Sequence, residues 1–324
     1  MSNNKFNAVL IEVNQNGDIG HKDLFLTEGV ETTAGSKVLT GYKPQYSATI
    51  VKKLEKAGYK TKAKLNCDAW AHGSSGENSD FGPTLNPWDI TRTAGGSCSG
   101  SGAAVISEYC RYATGTDTGG SIRLPASFTN TTALKPTYGA LSRYGVIAMA
   151  SSLDCPGVFA NSVKEIEKLF KVINDIDKND ATSQSSKRSL SAAKVLKPGT
   201  RLGIPKEYFE QGLNDEIKKK VIEAIELLKN QGAIVKKVSL PHTKYGIAVY
   251  YLVQTAEVAS NLARFDGIRY GNDRSFLGAE AKRRIILGTF ASSAGYTDKY
   301  YEKAAKVRTL IIEDFQKTFN EVDI

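Results

Sequence analysis

An α/β fold is the class this sequence predicts, on three observations. Leu202-Gly203-Ile204 reads as a short strand, Asn214 to Asn230 as an amphipathic helix and Ala233 to Leu240 as another strand. Strand, helix and strand within about 40 residues make a βαβ unit. Amphipathic helices recur on either side of it, at Ser47 to Gly58, after Ser162, at Leu252 to Phe265 and at Tyr300 to Phe319. The 324 residues, 41% of them hydrophobic and 24% charged, are enough for one large or two ordinary domains with a sizeable core.

Each element has a local reason. In Ser47 to Gly58, Ile50, Val51, Leu54 and Ala57 share one face, the lysines sit opposite and Gly58 stops the helix. Ser162-Val163-Lys164-Glu165 is a capping-box pattern, and behind it Ile166, Leu169, Phe170 and Ile173 share a face. Asn66 to Gly120 is rich in Gly, Ser, Thr, Asn and Pro, without strong periodicity. It also holds Trp70, Phe81, Trp88 and Ile90, which a disordered segment rarely contains, so it reads as ordered, loop-rich and functional. Ala103 to Tyr112 reads as one buried helix, and Lys178 to Pro198 as a polar surface loop.

Composition narrows the function. No apolar run reaches 18 residues, so no membrane-spanning helix is expected. Cys67, Cys98, Cys110 and Cys155 form no C-x-x-C pair, which speaks against a zinc site and for a reducing compartment without disulfides. Met1 to Asn7 has neither a secretory signal's apolar stretch nor a transit peptide's character, so the expectation is a mature form or a chain that stays where it is made. The formal charge of +9 fits a solvated surface or contact with nucleic acid, but no base-reading motif is present.

Two small-residue loops stand out: Gly95-Gly96-Ser97-Cys98-Ser99-Gly100-Ser101-Gly102, and Gly115 to Pro125 with its Gly119-Gly120-Ser121 core. Successive glycines let backbone N–H groups converge on an anion, either a phosphate or the oxyanion of acyl transfer. A P-loop needs Lys-Ser/Thr after its last glycine, and neither loop has it. Tight turns packed between elements would share this composition. An acyl-transfer site needs a nucleophile, for which Ser121 is placed, and a base. His21, His72 and His242 are the only histidines, none with an evident acidic partner in sequence; Lys22 is the other option if burial favours its neutral amine.

Gly-Gly-Ser-x-x-Gly-Ser followed by Gly-Thr-Asp-Thr-Gly-Gly-Ser-Ile-Arg, with Ser97 and Ser121 24 positions apart, resembles the amidase signature. His21-Lys22-Asp23 resembles that family's Lys-Asp motif, with Thr32-Thr33-Ala34-Gly35-Ser36 downstream. Within the family, Gly73 to Ser79, Asn86 to Asp89, Leu134 to Gly139, Ser142 to Gly145, Ser260 to Gly267 and Lys282 to Ile285 are similar to the glutaminase subunits of tRNA-dependent amidotransferases.

The resemblance implies a mixed central β-sheet covered by helices on both faces. It implies one amidase-signature domain over 1–324, with a catalytic core from Lys22 to Val163, a surface loop at 178–198 and a βαβ and helical substrate-side region at 200–324. The family continues well beyond Phe315 to Ile324, so the C-terminal part of the fold is expected to be lacking. The implied site is a Ser–cis-Ser–Lys triad: Ser121 the nucleophile, Ser97 after a cis Gly96–Ser97 bond the relay, and Lys22 the base. The N–H groups of Thr118, Gly119, Gly120 and Ser121 would form the oxyanion hole. Tyr251 and Arg284, or Arg283, would contact substrate glutamine. The implied role is to release ammonia for converting Glu-tRNA(Gln) to Gln-tRNA(Gln), with an amidotransferase B subunit, a small third subunit and tRNA(Gln) in the complex. No cofactor or metal is implied in this chain; ATP and Mg²⁺ belong to the partner subunit. Mitochondrial residence is the expectation from basicity and divergence, with the cytoplasm next.

Three other readings compete: a stand-alone amidase on another amide, a non-catalytic scaffold subunit, and an RNA-binding module. Cys98-Ser99 stands where the family usually has Ser-Gly, which makes the Cys98 thiol a second candidate nucleophile. His72 replaces a common Met and is expected to pack.

Overall fold

The computed structural model describes residues 4–184, 197–210 and 212–324. Of the loop expected at 178–198, residues 185–196 lie outside the described residues. Backbone proximity divides the chain into two units, Met1–Lys187 with Gln254–Thr289, and Arg188–Val253 with Phe290–Ile324. The region 200–324, within the single domain expected over 1–324, is divided between these two compact units. Inside the first unit two helices pack closely. Helix α6 (Gly246–Leu262) and helix α7 (Ala279–Ala291) meet at Gly288, where an added Cβ would collide with the Thr255 carbonyl oxygen.

The first unit is built on a six-stranded mixed sheet: β1 (Val9–Glu12), β2 (Ile19–Lys22), β3 (Thr61–Leu65), β4 (Tyr112–Asp117), β5 (Thr132–Leu134) and β6 (Cys155–Ala160), in the spatial order β1-β3-β2-β4-β6-β5. The central strands β3, β2 and β4 are parallel, while β1, β6 and β5 pair antiparallel. Strand alternation sorts the core onto two faces. Tyr112, Val158 and Ala160 face helices α1 (Thr49–Lys56) and α4 (Val163–Ile173), with Ile50, Val51, Leu54, Ile166, Leu169 and Phe170 in that cluster. Ala113 and Phe159 face helices α2 (Ser99–Ile106) and α3 (Arg123–Thr129), with Ala103, Ala104, Val105 and Ala126. Helices therefore cover both faces, as expected. The Ser162 cap is also present, its Oγ accepting from the Glu165 N–H at 3.3 Å.

The helix expected at Ala103 to Tyr112 is displaced. It runs Ser99–Ile106, Glu108 turns back at a positive φ of 59°, and Tyr112 begins β4. Gly and Ser ordinarily weaken a helix. Here the missing side chain at Gly100 lets the helix lie on neighbouring backbone, since a Cβ there would be 2.5 Å from the carbonyl oxygens of Ala8 and Asn66. All four cysteines are free and buried.

The second unit contains the βαβ unit: β7 (Arg201–Pro205), α5 (Asp215–Asn230) and β8 (Ile234–Val238), with the two strands parallel. Asn214 caps α5 by accepting from the N–H groups of Glu216 and Ile217. Helix α8 (Tyr301–Phe319) completes it. Among the described residues no helix is long and apolar enough to cross a membrane.

Candidate active site

Because β3, β2 and β4 run parallel, their C-terminal ends lie at one edge of the sheet, the usual place for a site in such a fold. Lys22 is the last residue of β2, Asp117 the last of β4, and Asp68 follows closely on β3. Helix α2 brings its N-terminal side, with Ser97 and Cys98 just before it, to the same edge.

Lys22 is fully buried, and Nζ hydrogen-bonds Ser97 Oγ at 2.7 Å, Thr116 Oγ1 at 2.8 Å and Cys98 Sγ at 3.2 Å. All three partners are neutral, and among the described residues no carboxylate lies within ion-pair distance of Nζ. The neighbouring strand supplies a contrast. Lys64 is equally buried but sits 3.3 Å from Asp23 Oδ1. Burial lowers the Lys64 pKa, and Asp23 opposes that shift. Asp23 Oδ2 also accepts from the Thr33 N–H at 2.8 Å and the Thr33 hydroxyl at 2.5 Å. In the Lys-Asp pair, Lys22 thus faces Ser97, while Asp23 anchors the Thr32 to Ser36 segment.

The Gly96–Ser97 peptide is cis. The loop around Gly76 holds it: the Gly96 N–H donates to the Ser74 carbonyl at 2.8 Å and the Asp68 N–H to the Ser97 carbonyl at 3.1 Å. Asp68 in turn accepts from the N–H groups of Asn78 at 2.8 Å and Gly76 at 3.2 Å. Burial raises the Asp68 pKa against those bonds. Gly96 has no room for a side chain, because a Cβ would collide with Asp68 Oδ2. Gly96→Ala is therefore expected to lower Tm by several degrees, on the order of 2–3 kcal/mol of overpacking, and to remove activity. Differential scanning calorimetry checks it, and an unchanged melting curve would contradict the close fit.

Ser121 is buried at the turn after β4, and the Cys98 N–H donates to its carbonyl at 3.2 Å. Among the described residues its hydroxyl makes no hydrogen bond, so Oγ is not committed to another group. The turn is organised by Asp117. Its Oδ1 accepts from the Gly120 N–H at 2.8 Å and from Arg123 at 2.9 Å; Oδ2 accepts from the Ile122 N–H at 3.2 Å and Arg123 Nε at 3.0 Å. Burial pushes the Asp117 carboxyl up, and the Arg123 guanidinium with these N–H groups outweighs it and holds the pKa below its ordinary value.

Among the N–H groups expected to form the oxyanion hole, this geometry separates one from the rest. The Gly120 N–H is already committed to Asp117, whereas those of Thr118, Gly119 and Ser121 make no hydrogen bond among the described residues. Gly120 is needed for conformation instead: its φ is 127°, in the range that favours glycine.

The other candidates separate clearly. Cys98 is fully buried, burial raises its pKa, and it joins the Lys22 shell as an acceptor, which argues against a nucleophilic thiol. His21 is buried between the hydroxyls of Thr114 and Thr61, each at 3.3 Å, and burial lowers its pKa to about 3. Burial, with Arg284 nearby, keeps His72 neutral. His242 does find an acid, Asp314 at 3.0 Å, but that pair belongs to the second unit. Arg284 is buried in the first unit; its Nε donates to Glu280 at 2.8 Å and an Nη to Gln254 Oε1 at 2.9 Å. Arg283 points outward and pairs with Glu280, so Arg284 is the better candidate of the two. Tyr251 falls in the second unit, half exposed, its ring edge-on to Tyr250.

Two members of this site were not singled out from the sequence. Thr116, the second hydroxyl on Lys22, lies inside the Gly-Thr-Asp-Thr motif, which was the available signal. Asp154 binds the Thr118 hydroxyl at 2.7 Å from 36 positions away, and no short-range pattern marks it.

A buried amine on a serine hydroxyl, beside a second serine and a turn of unpaired N–H groups, defines a site for acyl transfer from an amide or ester. The comparisons identify which such class applies. The amidase family model matches residues 19–324, and the chain belongs to the amidase family. It is 51% identical to the A subunit of the glutamyl-tRNA(Gln) amidotransferase of Myxococcus xanthus, over 94% of this chain and 66% of that protein. A crystal structure of the same subunit from Thermotoga maritima superimposes with a TM-score of 0.81 at 37% identity, covering 97% of this chain and 70% of that one. An allophanate hydrolase from Kluyveromyces lactis superimposes with a TM-score of 0.78 at 27% identity, covering 94% of this chain and 48% of that one. The chain spans 66% of the length of the first curated relatives it matches.

Proposed function

We propose that this chain is the glutaminase subunit of a tRNA-dependent amidotransferase. The observation that carries the reading is the fully buried Lys22 amine on Ser97 Oγ at 2.7 Å, beside a Ser121 turn with three uncommitted N–H groups. The 51% identity to the A subunit of such an enzyme supports the substrate class.

Ser121 Oγ attacks the side-chain amide carbon of glutamine and passes its proton to Ser97, whose own proton moves to Lys22. Lys22 Nζ lies 2.7 Å from Ser97 Oγ, within reach of that proton. The N–H groups of Thr118, Gly119 and Ser121 receive the developing oxyanion. The relayed proton returns to the leaving nitrogen, ammonia departs, and water hydrolyses the glutamyl ester on Ser121. Arg284 would bind the substrate α-carboxylate, the chemistry a guanidinium suits best. ATP and Mg²⁺ would act at the amidotransferase B subunit, which with a small third subunit would receive the ammonia and tRNA(Gln). Mitochondrial residence belongs to the same proposal and rests on the basic balance; a purely cytosolic signal from the tagged chain would remove it.

Ammonia release from glutamine, with and without a candidate partner subunit, tests the reading, with Ser121→Ala as control. Preference for another amide over glutamine would favour a stand-alone amidase, the reading to which the allophanate hydrolase likeness lends support. Arg284→Lys is expected to raise KM for glutamine roughly 10- to 100-fold, the worth of one charge-assisted bond, with kcat nearly kept. Lys retains the positive charge beside Glu280, so the fold should hold. An unchanged KM in steady-state assays would remove Arg284 from the substrate site.

A further inference from the structure

The segment from Met149 to Asp154 is tied to the site from two sides. On one side, Asp154 Oδ1 accepts from the Thr118 hydroxyl at 2.7 Å, and its carboxylate also takes the N–H groups of Met149 at 2.9 Å and Ala150 at 3.2 Å. On the other side, the part of α6 within the first unit holds the segment. Glu257 accepts from the Ser152 N–H at 2.9 Å and hydroxyl at 2.5 Å, and Asn261 donates to the Met149 carbonyl at 3.0 Å. Arg143 and the Tyr138 hydroxyl both donate to the Ser151 carbonyl. The segment is a strut, and its link into the Ser121 turn runs from Asp154 to Thr118.

We propose that Asp154 is a positioning residue: through Thr118 Oγ1 its carboxylate fixes the turn whose N–H groups meet the oxyanion. This rests on the catalytic reading of that turn. Thr118 carries one of the three uncommitted N–H groups, so any shift of its backbone moves a donor directly. Ionised, Asp154 accepts from all three donors at once, and its bond from the Thr118 hydroxyl is then charge-assisted, the stronger kind.

Stability alone does not account for a carboxylate here. Burial raises the Asp154 pKa from 3.8 to about 6, despite the bonds from Thr118, Ala150 and Met149 and the charge of Arg143. A folded pKa above the unfolded one means that the folded state binds the proton more readily, so this group's contribution to stability falls as pH rises from about 4 to about 6. Above that window the charge is kept at a cost in stability. The other ionisable groups facing this region are Arg143 with its partner Asp180, the Cys155 thiol, pushed up to about 11 by burial, and Asp117 with Arg123 beyond it. Of these, Asp154 is the group whose raised pKa falls near 6.

Two readouts test the proposal. In glutamine hydrolysis, the wild type should lose kcat on the acid side with an apparent pKa near 6. Asp154→Asn should lower kcat roughly 10- to 100-fold, the effect of a misplaced catalytic group, remove that acid limb and leave KM within about twofold. Thr118→Val should reproduce the kcat loss and Thr118→Ser, which keeps a hydroxyl, should restore it. Independently of turnover, hydrogen exchange of residues 117–121, corrected for the intrinsic pH dependence, should accelerate below about pH 6 in the wild type. In Thr118→Val it should be fast at every pH, which also covers an Asp154→Asn chain that fails to fold. An acid limb unaltered in the variants, with unaltered exchange, would overturn the proposal. If instead Ser121→Ala keeps ammonia release, the catalytic reading fails, while the exchange result still decides whether Asp154 holds the turn.

Discussion

Ser121→Ala should abolish ammonia release from glutamine while leaving the fold intact. In the proposed mechanism this hydroxyl is the attacking group, and the nearby Cys98 is a poor substitute, fully buried with its thiol pKa raised by burial. Loss of a serine nucleophile from a working triad lowers kcat by roughly 10⁴- to 10⁶-fold, the residue reflecting the oxyanion hole and binding. The fold should survive because the Ser121 hydroxyl makes no hydrogen bond among the described residues, so its removal strands no buried partner. Its backbone carbonyl, which accepts from Cys98, is untouched. A melting curve superimposable on the wild type, with release at background, is the expected pair of results. Substantial residual release would place the nucleophile elsewhere.

Lys22→Arg should be equally inactive, for two separable reasons. Guanidinium keeps its proton near neutral pH and cannot take one from Ser97. It also brings five donors in a rigid fork to a closed space whose acceptors are Ser97 Oγ, Thr116 Oγ1 and Cys98 Sγ. Overpacking there should cost about 1–3 kcal/mol, visible in urea unfolding. Lys22→Met separates chemistry from packing. It is near in length, apolar and removes a buried amine, so it should fold well and still lose roughly 10²- to 10⁴-fold or more in kcat. An active Lys22→Met chain would remove the base assignment, and an active Lys22→Arg chain would remove it more decisively.

Legibility in the sequence followed the physics of each element. Helices α1, α4, α5 and α8 lie at protein surfaces, where an apolar stripe against a charged face is a strong signal, and all four were readable within a few residues. The central sheet was not. Strand β2 is four residues, Ile19–Lys22, all buried, and two of them are His21 and Lys22. A strand buried throughout that ends in a lysine cannot show polar–apolar alternation. Strand β4, Tyr112–Asp117, is buried along its whole length and composed mostly of Ala, Thr and Gly, with Tyr112 its one large apolar residue, so it merged with the loops on either side. Helix α2 was misplaced for a related reason, since its glycines serve close backbone approach at Ala8 and Asn66.

The site divides the same way. Lys22, Ser97 and Ser121 were legible because they sit in dense motifs, and the structure brings the Lys22 amine and the Ser97 hydroxyl together. Which backbone N–H groups remain uncommitted was not legible. That depends on Asp117 reaching back to Gly120, a choice made by side-chain rotamers after the turn has formed. Asp154 was hidden because its link to Thr118 spans strand β6's edge of the sheet and 36 positions of chain. Arg284 was separable from Arg283 only once helix α7 fixed which of two adjacent residues faces inward.

The most direct test of the central claim is to trap the acyl-enzyme. The chain is mixed with glutamine, quenched in acid within one turnover, digested and mapped by mass spectrometry. The expected result is one glutamyl adduct on the peptide containing Ser121, present in the wild type, accumulating in chains slowed at deacylation and absent from Ser121→Ala. An adduct on Cys98 or Ser97, or ammonia released at full rate by Ser121→Ala, would contradict it.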